Sequence, residues 1–450
     1  MLKGILGLTN RLQSQNEVKI KDSVRKIRGM DVITPLESPF WQRVEKDLVS
    51  TAESYGFKEI RFPILEEIEL FRHSIGDESD IMRKELYSFT DKNNRIVALR
   101  PEGTVGCLRS FCEEGLDSSP GCNKLWYLGP FFRRERPQKM RRRQFHQFGL
   151  EIFGDDSPFS EAELLLLGQE ALKKIGLKDV LVEINTLGSP SSQKHYRNLL
   201  QEHISKNRTQ LTPEEEEKLL RDPLRSLDDE SPSIRAVLAD GPKISDSLND
   251  HEKEHFHHLV ESLEQLDVNY RVNERMARGL DYYNGLVFEW KKNQTELSIG
   301  GGGRYDNLYQ AVTAPESRIR TRTGTIQALG CGFGIERIVA AVATQHSDTR
   351  LSSRSDVAFI ATLGLEKKAL LSCKLIREKV PEIRLHTIFP PGNLSKLLNR
   401  ANKLNVKYVI ILQANEIRQG QFILRNMEGE TRQANLDLAD LVRVLADFNH

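Results

Sequence analysis

The segment between Arg133 and Arg143 carries the strongest chemical signal in the chain. It holds seven basic residues against a single acid, Glu135. Its flanks, 126–132 and 145–153, are strand-like, so the basic segment is predicted to connect the two strands of a hairpin. A charge run is often only a solvated face. Here, however, the arginines repel one another unless an anion offsets them, and guanidinium groups suit bidentate contact with phosphate. The segment therefore predicts a polyanionic ligand: a nucleotide, RNA or both.

The returning strand of this hairpin is predicted to have two different faces. Because side chains alternate across a strand, the apolar side chains between 148 and 152 share one face, and Gln147, Gly149 and Glu151 share the other. Gln147 and Glu151 then lie roughly 13 Å apart along the strand, which suits the two ends of a small ligand. A solvated sheet face would show the same pattern, so both interpretations stay open here.

Three later segments combine glycines with polar or aromatic residues. Arg278-Gly-Leu-Asp-Tyr-Tyr leads into an apolar strand, although an ordinary turn would look similar. Gly300–Gly303, followed by Arg-Tyr-Asp, permits close backbone approach to a ligand. It lacks the strand–GxGxxG–helix context of a dinucleotide site, and no GxxxxGK[ST] phosphate loop occurs. In Gly330–Arg337 glycines alternate along a strand that runs into a helix, which predicts either a flat floor for a planar group or a tightly packed strand.

One sequence match suggests a metal site. His251-Glu-Lys-Glu-His255 fits the HExxH pattern of zinc proteases, which places two histidines on one helical face. The match falls in a heavily charged amphipathic helix, and no third ligand follows in the usual context. No metal-ligand set is therefore predicted.

Length and composition define a broad class. The chain has 450 residues, 38% hydrophobic and 29% charged, which predicts a globular protein of two to three domains. Lys+Arg 65 against Asp+Glu 64 leaves almost no net charge. A nucleic acid would therefore have to bind a local basic patch.

The cysteines and the N-terminal residues indicate the cellular compartment in which the protein works. The five cysteines are scattered without metal-ligand spacing, which favours free thiols in a reducing, cytoplasmic setting. No run of 18 apolar residues predicts a membrane span. Residues 1–16 contain two bases and no acid, as in a transit peptide, but Glu17 and Asp22 follow and arginine is sparse. A short helical or disordered extension is the preferred interpretation.

These segments need a scaffold, and the strand signals come mostly without long helices between them. That favours an antiparallel sheet. The predicted strands are 58–65, 96–99, 125–132, 145–153, 180–185, 268–272, 286–290 and 297–300, with a strand running into a helix at 326–341. Pro63 cannot donate to a ladder, so the first strand is predicted at an edge or at a subunit boundary.

Two regions differ in character from this sheet. From Gly188 to about Leu263 strand signals vanish and charges dominate, which predicts a helical insertion. Residues 344–355 are polar and predict a linker. Beyond it, apolar runs at 357–362, 385–389 and 408–412 alternate with helical patterns at 367–379, 394–404 and 436–446, which predicts a small α/β domain.

Six blocks, taken in order, resemble the histidyl-tRNA synthetase family of class II aminoacyl-tRNA synthetases from about Val24 to the C terminus. They are RGMDVITPLESPFWQRVE with IRFPILE, LRPEGT, the hairpin 125–154, RGLDYYNGLVFEW, GGGRYDNL and GFGIER. RGLDYY and GGGRYD are peculiar to the histidine family and its close relatives, whereas the other blocks are broader class II features.

The resemblance implies an α+β fold, in which a class II antiparallel sheet with flanking helices carries a helical insertion and a C-terminal α/β anticodon-binding domain. The implied boundaries are an extension at 1–23, a catalytic domain at 24–345 with its insertion at about 189–263, a linker at 346–354 and the anticodon-binding domain at 355–450. The implied activity is that of a cytoplasmic histidine–tRNA ligase. It would use ATP and Mg²⁺ on L-histidine and tRNA(His), as a homodimer built through the segment around Pro63.

The resemblance also implies roles for individual residues. For ATP these are Arg133, Arg141, Arg337 and, in orienting the nucleotide, Glu135. For the amino and carboxylate groups of histidine they are Glu102, Thr104 and Gln147. For the imidazole they are Glu151 and Tyr283, with Tyr282 and Tyr305 also in the histidine site. Arg278 would lie between the histidine carboxylate and the α-phosphate, which makes Arg278 and Arg133 the catalytic residues. Arg136 and Gln138 would touch the tRNA acceptor end.

Some positions depart from the family pattern, and two alternatives remain. Asp31-Val32-Ile33 and Leu36 differ from the usual dimer-forming segment, and Asn307 stands where glycine is frequent. The regulatory subunit of ATP phosphoribosyltransferase shares this fold without aminoacylating, but the Arg278 block and the C-terminal domain argue against it. A threonine or proline synthetase would lack RGLDYY and GGGRYD.

Overall fold

The computed structural model describes residues 25–447 except 77–78, 80, 119–120, 137–139, 230, 277–281, 293–297, 314–324, 346–356, 390, 405 and 428–432. The chain divides into two compact units, Met1–Ser347 and Asp348–His450. None of the helices in this described part is long and apolar enough to cross a membrane.

The first unit contains a large sheet and a small one. Its strands are β1 (Lys58–Glu59), β2 (Leu65–Glu67), β3 (Tyr87–Thr90), β4 (Ile96–Leu99), β5 (Asn123–Phe132), β6 (Gln144–Phe153), β7 (Leu181–Thr186), β8 (Tyr270–Val272), β9 (Leu286–Lys291), β10 (Gly300–Arg304) and β11 (Ala328–Gly334). The large sheet has eight strands in the order β1-β5-β6-β11-β10-β9-β7-β8. Its central pairs are antiparallel, which confirms the predicted sheet type, and only the outer pairs β1/β5 and β7/β8 are parallel.

Helices cover one face of the large sheet. The helices of the first unit are α1 (Ser38–Ser54), α2 (Ile68–Ile75), α3 (Thr104–Glu113), α4 (Pro158–Ile175), α5 (Pro190–Lys206), α6 (Pro213–Arg221), α7 (Pro232–Ala239), α8 (Asp250–Gln265), α9 (Leu308–Val312) and α10 (Ile335–Gln345). Val44 and Leu48 of α1 and Leu165 of α4 are buried in the same core as Phe148 and Leu150 of β6. The apolar face of β6 therefore anchors the sheet, and its polar face is left for the site.

The predicted strand at 58–65 is wrong as a single element. Residues 58–59 form β1 at the edge of the large sheet, whereas β2 begins at Leu65 in a three-stranded sheet of order β2-β4-β3. Pro63 lies between them, and a residue without an N–H cannot continue a ladder. The proline thus ends one sheet before the next begins.

The glycine segment also differs from the prediction. The strand expected at 297–300 instead runs from Gly300 to Arg304, so the glycines are the strand itself. Glycine has little intrinsic strand preference. What holds β10 extended is pairing on both sides, with β9 and β11.

The insertion is helical, as predicted, and consists of α5–α8 with short 3₁₀ turns between them. Thr212 caps α6 in a capping box with Glu215, and Pro213 is the first helical residue. A separate apolar core that includes Tyr196, Leu219 and Ile234 stabilises it.

The second unit is an α/β domain. Its elements are β12 (Val357–Ala361), α11 (Glu366–Lys379), β13 (Leu385–Ile388), α12 (Leu394–Lys403), β14 (Tyr408–Leu412), α13 (Ala414–Arg418), β15 (Gln421–Asn426), β16 (Gln433–Asp437) and α14 (Leu438–Asp447). Its five strands have the order β13-β12-β14-β15-β16, with the first three parallel and the last two added antiparallel. The sequence did not predict β15 or β16, and the helix expected at 436–446 therefore begins at Leu438.

Candidate functional site

The polar face of β6 lies beside a row of glycines on β11. In the register of these strands Glu151 is opposite Gly330, Gly149 is opposite Gly332, and Gln147 is opposite Gly334. The alternate glycines leave this face of β11 without side chains. The predicted flat floor is therefore present, with Gln147 and Glu151 at its two ends.

Glu151 is fully buried at the closed end of this floor. Its Oε1 accepts hydrogen bonds of 2.9 Å from the hydroxyls of Thr104 and Tyr127, and Tyr305 donates to Oε2. Burial raises the pKa of Glu151 to about 8, although these hydrogen bonds act in the opposite direction. The carboxyl group can therefore gain or lose a proton near neutral pH, where an imidazole also titrates.

Glu102 is a second buried carboxylate, held at the first turn of α3. Its two oxygens accept from the backbone N–H groups of Thr104 and Val105, each at 2.8 Å. Burial raises the pKa of Glu102, while these two hydrogen bonds lower it. The helix start thus fixes Glu102 and also directs the Thr104 hydroxyl at Glu151.

Tyr127 is a residue of this site that the sequence interpretation missed. It is buried, and a Cβ added at Gly149 or at Gly103 would overlap its ring. Gly149 therefore leaves space for the tyrosine that bonds Glu151. The signal was present in the hairpin register, since Tyr127 is the residue paired with Gly149.

A cavity of about 440 Å³ opens at the other end of the glycine floor. Its walls include Arg133, Arg141, Arg337 and Gln147, and its floor includes Gly332. Burial lowers the pKa of Arg337, and the positive charges of Arg141 and Arg133 lower it further. Three guanidinium groups that repel one another in a concave site favour a polyanion.

Each of these arginines is held by a neighbour. Arg133 Nε donates to the carbonyl oxygen of Pro101 at 2.9 Å, and Arg337 Nη1 donates to that of Ser298 at 2.5 Å. Arg141 forms an ion pair with Glu135 at 3.2 Å. This places Glu135, which was predicted to orient the nucleotide, on the same wall of the cavity. These contacts orient the three guanidinium groups.

Other carboxylates also line this cavity, among them two that the sequence interpretation had not selected. Both carboxylate oxygens of Glu336 accept from the backbone N–H of His146 at 3.0 Å, and Oε1 also lies 3.0 Å from Nδ1 of the same histidine. Glu289 lines the cavity from β9. Glu336 lies beside Arg337, so the GFGIER block already contained it.

The remaining predicted residues lie in several places. Tyr305 bonds Glu151, and its ring lies 5.7 Å from that of Tyr282, which packs 4.7 Å from Tyr283. Tyr282 and Tyr283 line a neighbouring cavity. Arg136 is exposed on the hairpin loop. Arg278 and Gln138 lie outside the described residues.

The HExxH match has a structural explanation. His255 pairs at 3.1 Å with the buried Glu161, which also accepts at 2.7 Å from Arg304. Within the described ranges, no group of three or more His, Cys, Asp or Glu side chains is arranged to hold a metal ion. His255 thus helps join the insertion helix α8 to helix α4.

An antiparallel sheet with a long hairpin, a helical insertion and a separate C-terminal α/β domain is the architecture of class II aminoacyl-tRNA synthetases. The family model for histidyl-tRNA synthetase matches residues 29–338. The chain therefore belongs to the histidyl-tRNA synthetase family.

Solved structures agree with this assignment. The apo histidyl-tRNA synthetase of S. aureus is 26% identical with a TM-score of 0.75, and the match covers 94% of this chain and 100% of that one. The histidyl-tRNA synthetase of Nostoc sp. PCC 7120 shares the fold at 18% identity and TM-score 0.68, over 94% and 99% of the two chains. A Bacillus halodurans protein described as an ATP phosphoribosyltransferase regulatory subunit/histidyl-tRNA synthetase also shares the fold. It is 20% identical with a TM-score of 0.61, and the match covers 88% of this chain and 100% of that one.

Proposed function

We propose that this chain is a histidine–tRNA ligase. It activates histidine with ATP, releases pyrophosphate and transfers the histidyl group to the 3′ end of tRNA(His) in the cytoplasm. The observation that carries the proposal is the floor of alternate glycines, which joins the buried carboxyl group of Glu151 to a cavity walled by three arginines.

Arginines suit the first step of this reaction. A carboxylate oxygen of histidine attacks the α-phosphorus of ATP, and the bond to pyrophosphate breaks. The attacking carboxylate is already ionised at neutral pH, so no general base is needed. What the site must supply is in-line positioning and positive charge for the phosphates, a role that we assign to Arg133, Arg141 and Arg337, with Glu135 orienting the nucleotide. Arg278 would act between the carboxylate and the α-phosphate.

We place histidine along the polar face of β6. Glu102, Thr104 and Gln147 would hold its amino and carboxylate groups, and Glu151 would accept from its imidazole, with Tyr282, Tyr283 and Tyr305 enclosing the ring. The separation of Gln147 and Glu151 along one strand supports two contact points on one small ligand.

Mg²⁺ fits the donor set of the cavity. Glu289 and Glu336 present carboxylate oxygens, the ligands that Mg²⁺ prefers, and magnesium sites combine one or two such carboxylates with substrate phosphates. The ion would supply charge neutralisation for the departing pyrophosphate.

Exposed apolar side chains support a homodimer. On the three-stranded sheet Leu65, Phe89 and Ile96 are exposed, and Val32 and Leu36 are exposed on the segment before α1. Several exposed apolar side chains on one small sheet are typical of a protein–protein contact surface. We propose a second copy of this chain as the partner.

The second unit is proposed to bind the anticodon, and Arg136 and Gln138 to contact the acceptor end. Deleting residues 355–450 should leave ATP–pyrophosphate exchange near wild type, because the proposed ATP and histidine ligands all precede residue 338. The KM for tRNA(His) in charging assays should rise roughly tenfold through the loss of one contact region. Charging at the wild-type KM would contradict an anticodon role.

The proposal is tested by ATP–pyrophosphate exchange with each of the twenty amino acids. Exchange that depends on histidine alone is the expected result. The alternative is a histidine-sensing regulatory protein, to which the Bacillus halodurans description points. Such a protein would bind histidine without supporting exchange, so exchange together with equilibrium binding of histidine separates the two functions.

A further inference from the structure

Arg304 is the last residue of β10, and its side chain is buried. Its Nε donates to Oε1 of Glu161 at 2.7 Å, and its Nη1 donates to the carbonyl oxygen of Asp155 at 3.0 Å. Burial lowers the pKa of Arg304, but the carboxylates of Glu161 and Asp306 raise it overall. The protein therefore holds a charged guanidinium group inside its first unit.

Stability alone does not account for this buried ion pair. The free energy of removing two charges from water can exceed their attraction, and apolar residues of similar size often replace such a pair without loss of stability. Nη2 of Arg304 also lacks a hydrogen-bond partner in the described part of the chain, which is a further cost. In some proteins such buried polar groups fix one particular arrangement of their neighbours.

The neighbour that Arg304 can fix is Tyr305. Successive side chains of an extended segment lie on opposite faces, so Arg304 contacts helix α4 while the Tyr305 hydroxyl donates to Oε2 of Glu151. The backbone N–H of Tyr305 donates to the carbonyl oxygen of Ala328 at 2.8 Å, and Oδ1 of Asp306 accepts from the N–H of Ala328 at 2.7 Å. Nη1 of Arg304 lies 3.4 Å from the same oxygen of Asp306. Charged side chains on both sides of Tyr305 therefore hold its backbone in place.

The anchor of Arg304 is itself fixed. Glu161 lies in the first turn of α4 and is 1% exposed, and its Oε2 lies 3.1 Å from Nε2 of His255 on α8. We propose that Arg304 is a positioning residue for histidine recognition, because its ion pair with Glu161 keeps the Tyr305 hydroxyl on the carboxyl group that meets the imidazole. This inference rests on the proposed function, which places the imidazole at Glu151.

The test replaces the ion pair by apolar residues of similar size in the full-length chain, as Arg304→Met/Glu161→Met. Both buried charges are removed together, so the net charge is unchanged and the melting temperature should stay near the wild-type value. The dissociation constant for histidine, measured at equilibrium, should rise roughly tenfold, the effect of displacing one hydrogen bond to a charged group. The dissociation constant for ATP should not change, because neither residue lines the arginine-lined cavity.

Tyr305→Phe separates a positioning role from a packing role. This substitution deletes the hydroxyl that Arg304 is proposed to place. If the ion pair acts through that hydroxyl, replacing the pair in the Tyr305→Phe background should weaken histidine binding little further. An equal loss of affinity in the two backgrounds would overturn the inference.

The pH dependence of histidine binding is a second readout. Burial raises the pKa of Glu151, and the hydrogen bond from Tyr305 is the largest of the effects that lower it. In Arg304→Met/Glu161→Met the pKa of Glu151 should therefore rise further, and the pH at which histidine binding weakens should move up by about one unit. An unchanged pH profile would contradict the proposed role. The other titratable groups that interact with Glu151 stay in place in this variant: Glu102, Cys107, Tyr127 and Tyr282.

Arg109→Met/Glu66→Met is the matched control. This ion pair joins α3 to β2 at 2.5 Å, and its side chains are only 15% and 8% exposed. None of its contacts in the described part of the chain reaches Tyr305 or Glu151. The affinity for histidine and its pH dependence should therefore stay at wild-type values, and a control that matched the Arg304 variant would reduce the effect to general packing.

The binding measurement also separates this inference from the proposed function. A wild type that binds histidine but supports no ATP–pyrophosphate exchange would count against the ligase activity alone, and the comparison of variants would still decide the role of Arg304. A wild type that binds no histidine would overturn both.

Discussion

Glu151→Gln should raise the KM for histidine roughly 100-fold, the effect of losing a hydrogen bond between a charged group and its partner. The KM for ATP should stay near the wild-type value. The substitution keeps the shape of the side chain and one oxygen acceptor, which can serve either the Thr104 and Tyr127 hydroxyls or the Tyr305 hydroxyl. What it removes is the group that can share a proton with an imidazole. Histidine-dependent ATP–pyrophosphate exchange measures both constants.

The pH dependence gives this prediction a second measurement. The pKa of Glu151 is raised by burial to about 8, and a free imidazole has a pKa of about 6.5. At a pH between these two pKa values the carboxyl group of Glu151 is protonated before histidine binds, and the imidazole of free histidine is neutral. The bound pair then holds one proton between carboxylate and imidazole without any proton being taken up or released. Binding must release a proton below this window and take one up above it. The KM for histidine should therefore be lowest inside the window, and the Gln variant should lose the rise on its alkaline side.

Stability should change with pH in the direction set by the same group. The folded-state pKa of Glu151 is above the ordinary value of 4.5 for a glutamate, so the folded protein binds the extra proton between 4.5 and about 8. The contribution of this carboxyl group to the free energy of unfolding is complete below that window and is lost as the pH rises through it. The melting temperature of the Gln variant should therefore improve relative to wild type from pH 5 to pH 9.

Glu183→Gln is the control for both measurements. Glu183 is buried on β7, where its pKa is raised by burial but lowered overall by hydrogen bonds from Asn273, Arg271 and Lys291. Its stabilising contribution is present above the unfolded-state pKa, so this variant should be less stable at neutral pH and keep its KM for histidine. A Glu151→Gln variant with the wild-type KM for histidine at every pH would contradict the placement of Glu151 in the proposed imidazole site.

Residue patterns within a single segment predicted those features of the site that depend on that segment alone. The hairpin and the two faces of its returning strand follow from residue alternation, and the structure places Gln147 and Glu151 on one face, with Phe148 and Leu150 in the core on the other. The flat floor of β11 was likewise visible in alternate glycines. These features depend on the period of a strand, which the sequence carries directly.

Features that depend on the pairing and register between strands could not be predicted in this way. Tyr127 was missed because its bond to Glu151 requires the register of β5 against β6. The strand at Gly300 was misplaced because its extended form comes from two neighbours and not from its own residues. The predicted strand through Pro63 was wrong because two different sheets meet there. In each case tertiary context decided between local structures of similar propensity.

Gly330→Ala should abolish most histidine activation, with kcat/KM for histidine reduced at least ~100-fold, and should also lower stability by about 1–3 kcal/mol. An added Cβ at this position would overlap Oε2 of Glu151 and lie 2.7 Å from the carbonyl oxygen of Leu150. That carbonyl belongs to the central strand β6 and cannot move far. The Glu151 side chain must therefore leave the Tyr305 hydroxyl, or the strands must separate. Exchange kinetics and thermal denaturation measure the two effects.

Gly332→Ala tests the same glycine floor two residues further along β11. Its added Cβ would meet the nearest atom, Nε2 of Gln147, at 3.7 Å, which is an ordinary contact. Stability and the KM for histidine should then change little. The KM for ATP should rise, because Gly332 forms the floor of the arginine-lined cavity. The contrast between the two glycines separates a folding defect from a binding defect. If both variants lost histidine and ATP binding to the same extent, the division of this floor into a histidine end and a nucleotide end would be wrong.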